Sequence, residues 1–116
     1  MSREIAERRG RRGEGFACAW LMLQGWRIVE RRVKTPRGEI DLVARRGRTV
    51  AFVEVKWRAT VAERDRSLDA WRLRRVAAAV EAVAHRYLRD GDNPRIDALL
   101  LAPGRWPRHI VNAWQP

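Results

Sequence analysis

Apolar and polar positions alternate along this chain with two distinct periods. In residues 14–24, EGFACAWLMLQ, apolar side chains recur at helical spacing, and the run stops at Gly25, the residue type best suited to end a helix in a left-handed conformation. WRIVERRV, from Trp26 to Val33, alternates apolar and charged residues as a half-buried strand does. Pro36 and Gly38 mark a turn, and two strands are predicted over 39–45 and 49–58, divided by RRGR. The charged stretch ATVAERDRS bridges to a long helix near 67–89, where Leu73, Val76, Ala77, Val80, Val83, Ala84 and Tyr87 fall at 3/4 spacing. DGDNP ends that helix, and IDALLLA and HIVNAW supply two further strands. The order α-β-β-β-α-β-β predicts an α/β sandwich of one domain spanning 1–116, with a meander of three strands and helices covering the sheet. Its central sheet is expected to be mixed, and residues 1–12 are expected to form a flexible basic arm.

Two of these apolar runs contain charges. Asp41 lies between Ile40 and Leu42, and Glu54 and Lys56 flank Val55. Strand alternation places Phe52, Glu54, Lys56 and Arg58 on one face, and Glu39, Asp41 and Val43 together, opposite Ile40, Leu42 and Ala44. A two-residue turn at Gly47-Arg48 pairs Asp41 with Glu54, and glycine first in the turn suits type II′. A turn at Arg46-Gly47 pairs Asp41 with Phe52 instead. Either register keeps both acids on one face, where facing Cβ atoms lie about 5 Å apart. Like charges that close are unfavourable unless a cation sits between them. Mg²⁺ takes one or two carboxylates plus water and phosphate oxygens, and Lys56 would then point at the water or scissile phosphate. The plainer alternative is a solvated cross-strand set of charges. Two features weigh against it. The chain has 23 Arg but only two Lys, so Lys56 departs from local habit, and Asp is a poor strand residue. Glu14 adds a third acid on the helical stripe of Ala17, Cys18 and Leu21. It either reaches the end of the sheet or simply favours the first turn of a helix.

Composition changes the picture in one respect. The 25 basic and 14 acidic residues give a net charge of +11, which points to nucleic acid or another polyanion as partner. Arg8, Arg9, Arg11 and Arg12 form the best basic cluster for phosphate contact, with solvation of the arm the alternative. The single Cys18 reads as a small core residue. No apolar run approaches a membrane span, and the opening MSREIAERRGRRG lacks a leader's apolar segment, so a cytoplasmic protein is expected.

Gly13-Glu14, Gly25, GEIDLVA at 38–44 and FVEVKWR at 52–58 together resemble the YraN family of small bacterial proteins. That family is similar to archaeal Holliday-junction resolvases, among the restriction-endonuclease-like PD-(D/E)xK nucleases. The resemblance implies the restriction-endonuclease-like fold and a metal-dependent endonuclease acting on structured or branched DNA, with a homodimer as a further implication. It also implies that Asp41 and Glu54 hold Mg²⁺ or Mn²⁺, that Lys56 positions or activates water, and that Glu14 assists from the first helix. Arg58 and Arg72 join the arm as expected nucleic-acid contacts. The sequence departs from the family pattern at Arg72-Leu73, where members usually carry Lys-Gln. Two other readings stay open: a nucleic-acid-binding module with a vestigial metal site, and an interaction protein with an acidic partner.

The remaining candidates read as structural. His85 and His109 lack partners at ligand spacing. Trp20, Trp26 and Trp71 occupy apolar positions expected in the core, while Trp57, Trp106 and Trp114 suit packing at strand edges. Asp97, inside RIDALLL, suits a structural hydrogen-bonding role.

Overall fold

A computed structural model describes residues 3–114 of the chain, with side chains from Gly13 to Trp114. Helix α1 spans Arg3–Leu23, so it begins well before the expected Glu14 and includes the backbone of the stretch expected to be an arm. The side chains of Arg8, Arg9, Arg11 and Arg12 lie outside the described residues. At its other end the helix stops as the sequence predicts. The Trp26 amide donates to the Leu21 carbonyl at 3.0 Å and the Gly25 amide to Met22 at 3.1 Å. This paired closure requires a left-handed residue, and Gly25 supplies it at φ 90°.

Five strands follow: β1 (Arg27–Thr35), β2 (Gly38–Arg46), β3 (Thr49–Trp57), β4 (Asn93–Leu101) and β5 (Arg108–Ile110). They form one sheet in the order β1-β2-β3-β4-β5. The first three are an antiparallel meander, β4 runs parallel to β3, and β5 runs antiparallel to β4. The mixed sheet arises because the connection from β3 to β4 crosses back over one face through helices α2 (Val61–Asp65) and α3 (Ala70–Val83). Helix α2 lies in the charged stretch expected to be a plain linker. Thr60 caps it by accepting the Glu63 amide. Helix α3 is shorter than the predicted 67–89. Asp69 caps its start, and a 3₁₀ turn, Ala84–Arg86, follows it.

Each face of the sheet has its own apolar layer. Ala17, Cys18 and Leu21 of α1 pack on Leu42, Ala44, Ala51, Val53, Leu99 and Leu101. On the other face Val76, Ala79, Val80 and Val83 of α3 pack on Val33, Ile40, Val43, Val50 and Phe52. Ile40 therefore faces α3 together with Val43, contrary to the alternation expected from the sequence. The reason lies in β1. Between the pairs Val33–Ile40 and Arg31–Leu42 stands Arg32, in the left-handed conformation at φ 54°. That residue breaks the pleat, and the facing segment of β2 around Asp41 changes its alternation with it.

Gly38 lets the sheet approach α3 at this same end. A Cβ there would stand 3.3 Å from the Arg75 carbonyl oxygen. Toward the opposite edge of the sheet stands Asp97, which is fully buried on β4. Its carboxylate accepts from Arg95 Nε at 2.9 Å and Nη2 at 2.8 Å, and from the Asn112 amide at 2.9 Å. His109 Nε2 lies 2.8 Å away. Asp97 thus ties β5 and the segment beyond it to the sheet, the structural role its sequence suggests. Among the described residues, no helix is long and apolar enough to cross a membrane.

Candidate functional site

The β2–β3 hairpin closes through Gly47-Arg48, with Arg46 facing Thr49 and Gly47 at φ 60°. This is the first of the two predicted registers. Its ladder runs as far as Leu42–Val53 and stops one pair short of Asp41 and Glu54. Beyond that point the strands part, and the Val55 amide loses a strand partner. Asp41 Oδ2 takes that bond at 2.7 Å. The aspartate that interrupts an apolar strand is therefore a backbone cap at the fork of a hairpin, which fixes its carboxylate beside Glu54.

Glu54 is 3% exposed and has two cationic partners. Lys56 Nζ lies 3.1 Å from Oε1, and Arg72 Nε of α3 donates to the same oxygen at 2.6 Å. Lys56 is itself only 8% exposed, on the same strand face two residues on. Burial lowers its pKa from the ordinary lysine value, with Arg72 and Arg58 adding to that and Glu54 opposing it. Arg72 differs: half of its side chain remains in solvent. Desolvation, and secondly the charge of Glu54, push the Asp41 carboxyl up to about 7 against the opposing Val55 bond.

The two carboxylates open into a cleft of about 480 Å³ between the start of β2 and α3. Lys34, Trp71, Arg72 and Arg75 form its rim, with Gly38 and Val76 also in its wall. Lys56 lies behind Glu54 rather than on the wall. Glu14 is near enough for its charge to act on Asp41, and its own carboxylate is held by Arg32 Nε at 2.6 Å. Arg58, half-buried, turns its guanidinium back onto the Trp57 carbonyl at 2.8 Å. The structure thus brings Asp41, Glu54, Lys56 and Arg72 together, leaves Glu14 at the margin, and directs Arg58 to the backbone.

The donor set fits one small, hard cation. Among the described residues no group of three or more His, Cys, Asp and Glu could hold a metal. Two neighbouring carboxylates do suffice for Mg²⁺, which keeps water and takes its remaining ligands from phosphate. Burial, and secondly the charge of Glu54, raise the Asp41 carboxyl toward neutrality, and a bound cation would offset both.

That raised pKa has a measurable consequence. The folded-state pKa of Asp41, about 7, lies above the 3.8 of the free group. Its contribution to stability is therefore complete below about pH 4 and is lost as pH rises through about 7. Asp41→Asn keeps an oxygen for the Val55 amide and removes the charge. In EDTA it is expected to melt higher than the parent at pH 8 and level with it at pH 4. The gain at pH 8 should fall between about 1 and 4 kcal/mol, since a tenfold change in proton affinity is worth about 1.4 kcal/mol. Thermal melts at both pH values decide this, and a variant that melts lower at pH 8 would dismiss a destabilising charge at Asp41.

Comparison with known proteins places the chain. The model of the uncharacterised protein family UPF0102 matches residues 13–101. The chain belongs to that family. It is the family, also called YraN, that the Asp41 and Glu54-Val55-Lys56 motifs resemble. A UPF0102 protein of Erythrobacter litoralis is 66% identical over the full length of both chains, and one of Sphingopyxis alaskensis is 60% identical, also over both full lengths. Among solved structures, Hjc of Archaeoglobus fulgidus, a Holliday junction resolvase from an archaeal hyperthermophile, superposes with a TM-score of 0.60 at 20% identity. The match covers 86% of this chain and 73% of that one. The shared fold is the restriction-endonuclease-like α/β architecture expected from the sequence.

Two site features escape the sequence pattern. Trp71, expected in the core, is 60% exposed at the cleft rim. Leu73, Val76, Val80 and Val83 define the buried stripe of α3, and Trp71 stands two residues before it, on the opposite side. That spacing is the available signal. Arg72, expected at nucleic acid, here covers Glu54.

Proposed function

We propose that this protein is a cytoplasmic metal-dependent nuclease that hydrolyses phosphodiester bonds in structured or branched DNA. The observation that carries this reading is the fork of the β2–β3 hairpin, where Asp41 and Glu54 lie side by side in a cationic cleft with Lys56 behind them. Asp41 and Glu54 would hold Mg²⁺ or Mn²⁺, which when bound supplies Lewis-acid stabilisation of charge at the scissile phosphate. Lys56, with its lowered pKa, is suited to orient the attacking water and stabilise the developing charge. Arg72, whose half-exposed guanidinium lies beside Glu54, would be placed to contact the phosphate. Glu14 adds negative charge from α1, and the Arg-rich first helix contributes phosphate contacts. The fold shared with a Holliday junction resolvase supports a branched substrate, and a homodimer is proposed from the family resemblance alone.

One observation favours a second reading, a nucleic-acid-binding module with a vestigial metal site. Glu54 already has two cationic partners, Lys56 and Arg72. Incubation with branched, single-stranded and duplex DNA in Mg²⁺, Mn²⁺ and EDTA separates the two. The nuclease reading expects cleavage in at least one metal, preference for the branched substrate, and none in EDTA. Binding without cleavage in either metal would leave the binding module. Cleavage that persists in EDTA would remove Asp41 and Glu54 from the chemistry.

A further inference from the structure

The exposed face of Trp71 calls for an explanation beyond the carboxylates. A large aromatic side chain left 60% exposed keeps apolar area in water that folding has not removed. Its position is fixed. Asp69 Oδ1 accepts the Trp71 backbone amide at 2.8 Å, so the residue sits in the first turn of a capped helix. One turn on, the Arg75 guanidinium lies 5.2 Å from the ring centroid, which steadies the indole and holds a positive charge beside it. Next in the chain, Arg72 reaches Glu54. Trp71 therefore stands on the rim of the carboxylate cleft, among Lys34, Arg72 and Arg75.

A nucleic acid presents both chemistries this rim offers to bind, phosphate for the cations and a flat π-face for the indole. A continuous duplex keeps its bases stacked on one another, with phosphates outermost. Only an unpaired or unstacked nucleotide could lay its base on Trp71 while its phosphate enters the cleft. We infer that Trp71 is the stacking platform for an unpaired nucleobase next to the cleft, and that it selects nucleic acid interrupted by such a nucleotide over continuous duplex. The inference rests on the nucleic-acid reading above and deepens it. Specificity comes from a side chain outside the carboxylate set and without sequence readout, because every base has a π-face.

The test uses the full chain in EDTA with three probes: a short duplex, the same duplex with a single bulged 2-aminopurine, and that duplex with an abasic bulge. The parent is expected to prefer the 2-aminopurine bulge over both other probes and to quench its fluorescence on binding. In Trp71→Ala, the preference for the bulge over the duplex should fall by about 5- to 100-fold, the range of one base–aromatic stack, and the quenching should disappear. Trp71→Phe should retain part of both. Because the side chain is exposed, each variant should melt with the parent, and circular dichroism checks this. An unchanged bulge-to-duplex ratio in Trp71→Ala overturns the inference, as does equal preference for the abasic bulge, which would assign the effect to charge and backbone flexibility. Failure of the parent to bind any of the three probes would sink the nucleic-acid reading and this inference together. Parent binding to the 2-aminopurine bulge that Trp71→Ala leaves unchanged would sink this inference alone.

Discussion

Lys56→Ala is expected to lower cleavage by about 10²-fold or more, the scale for removing one preorganised electrostatic stabiliser. Binding should weaken only slightly, because one cation of 25 basic residues is lost and Lys56 lies behind Glu54 rather than on the cleft wall. The fold should tolerate the change, since Arg72 still pairs with Glu54 at 2.6 Å. Asp41→Asn should abolish cleavage for a different reason, an amide being a far weaker ligand for Mg²⁺ than a carboxylate. It should hold nucleic acid at least as well, having lost a repulsive charge. Cleavage rates and equilibrium binding are compared on the same branched substrate. If the charges at the fork were only a solvated cross-strand set, both substitutions would leave cleavage unaltered. Activity that survives both would belong to another site, and the nuclease reading would end there.

Asp97→Ala is expected to cost about 3–5 kcal/mol of stability, as when one partner of a buried ion pair is removed. Arg95, His109 and the Asn112 amide all converge on this carboxylate and would be left without it. Burial pushes the pKa of Asp97 up, yet the bonds from His109, Arg95 and Asn112 outweigh burial and hold it below the ordinary value. Its contribution is therefore present above about pH 4 and is lost as pH falls through the depressed folded value. Urea unfolding at neutral pH measures the loss, with Asp90→Ala, an exposed acid, as a reference expected within about 0.5 kcal/mol of the parent. A cost for Asp97→Ala no larger than that of Asp90→Ala would dismiss the hub.

What the sequence makes legible follows from local rules. Glycine at 25 and at 47 chooses the end of α1 and the register of the hairpin, and that register brings Asp41 and Glu54 to the same face just beyond the last ladder pair. The same rules cannot give the face of Ile40, because a non-glycine residue in the left-handed region, Arg32, leaves no mark on apolar periodicity. Nor can they give Arg72 on Glu54, which depends on the crossover bringing α3 over the fork. Trp71 is misplaced when hydrophobicity is taken without its angle around the helix. Lys56 is correctly grouped with Glu54, but strand alternation says nothing of depth, and its place behind the acid is a matter of packing.

The irregular β1 has a consequence for association between copies. An outermost strand with unpaired backbone groups is a template for another chain. Here that strand carries a bulge between Ile28 and Glu30, a left-handed Arg32 and five charged side chains in RIVERRVKT. The opposite margin is the three-residue β5. Neither offers a long flat run of donors and acceptors, so both sides of the sheet discourage growth by strand addition. Contact between copies is thereby favoured at helix faces or loops, and a barrier to fibrous aggregation is built into the same irregularity that turns Ile40 toward α3.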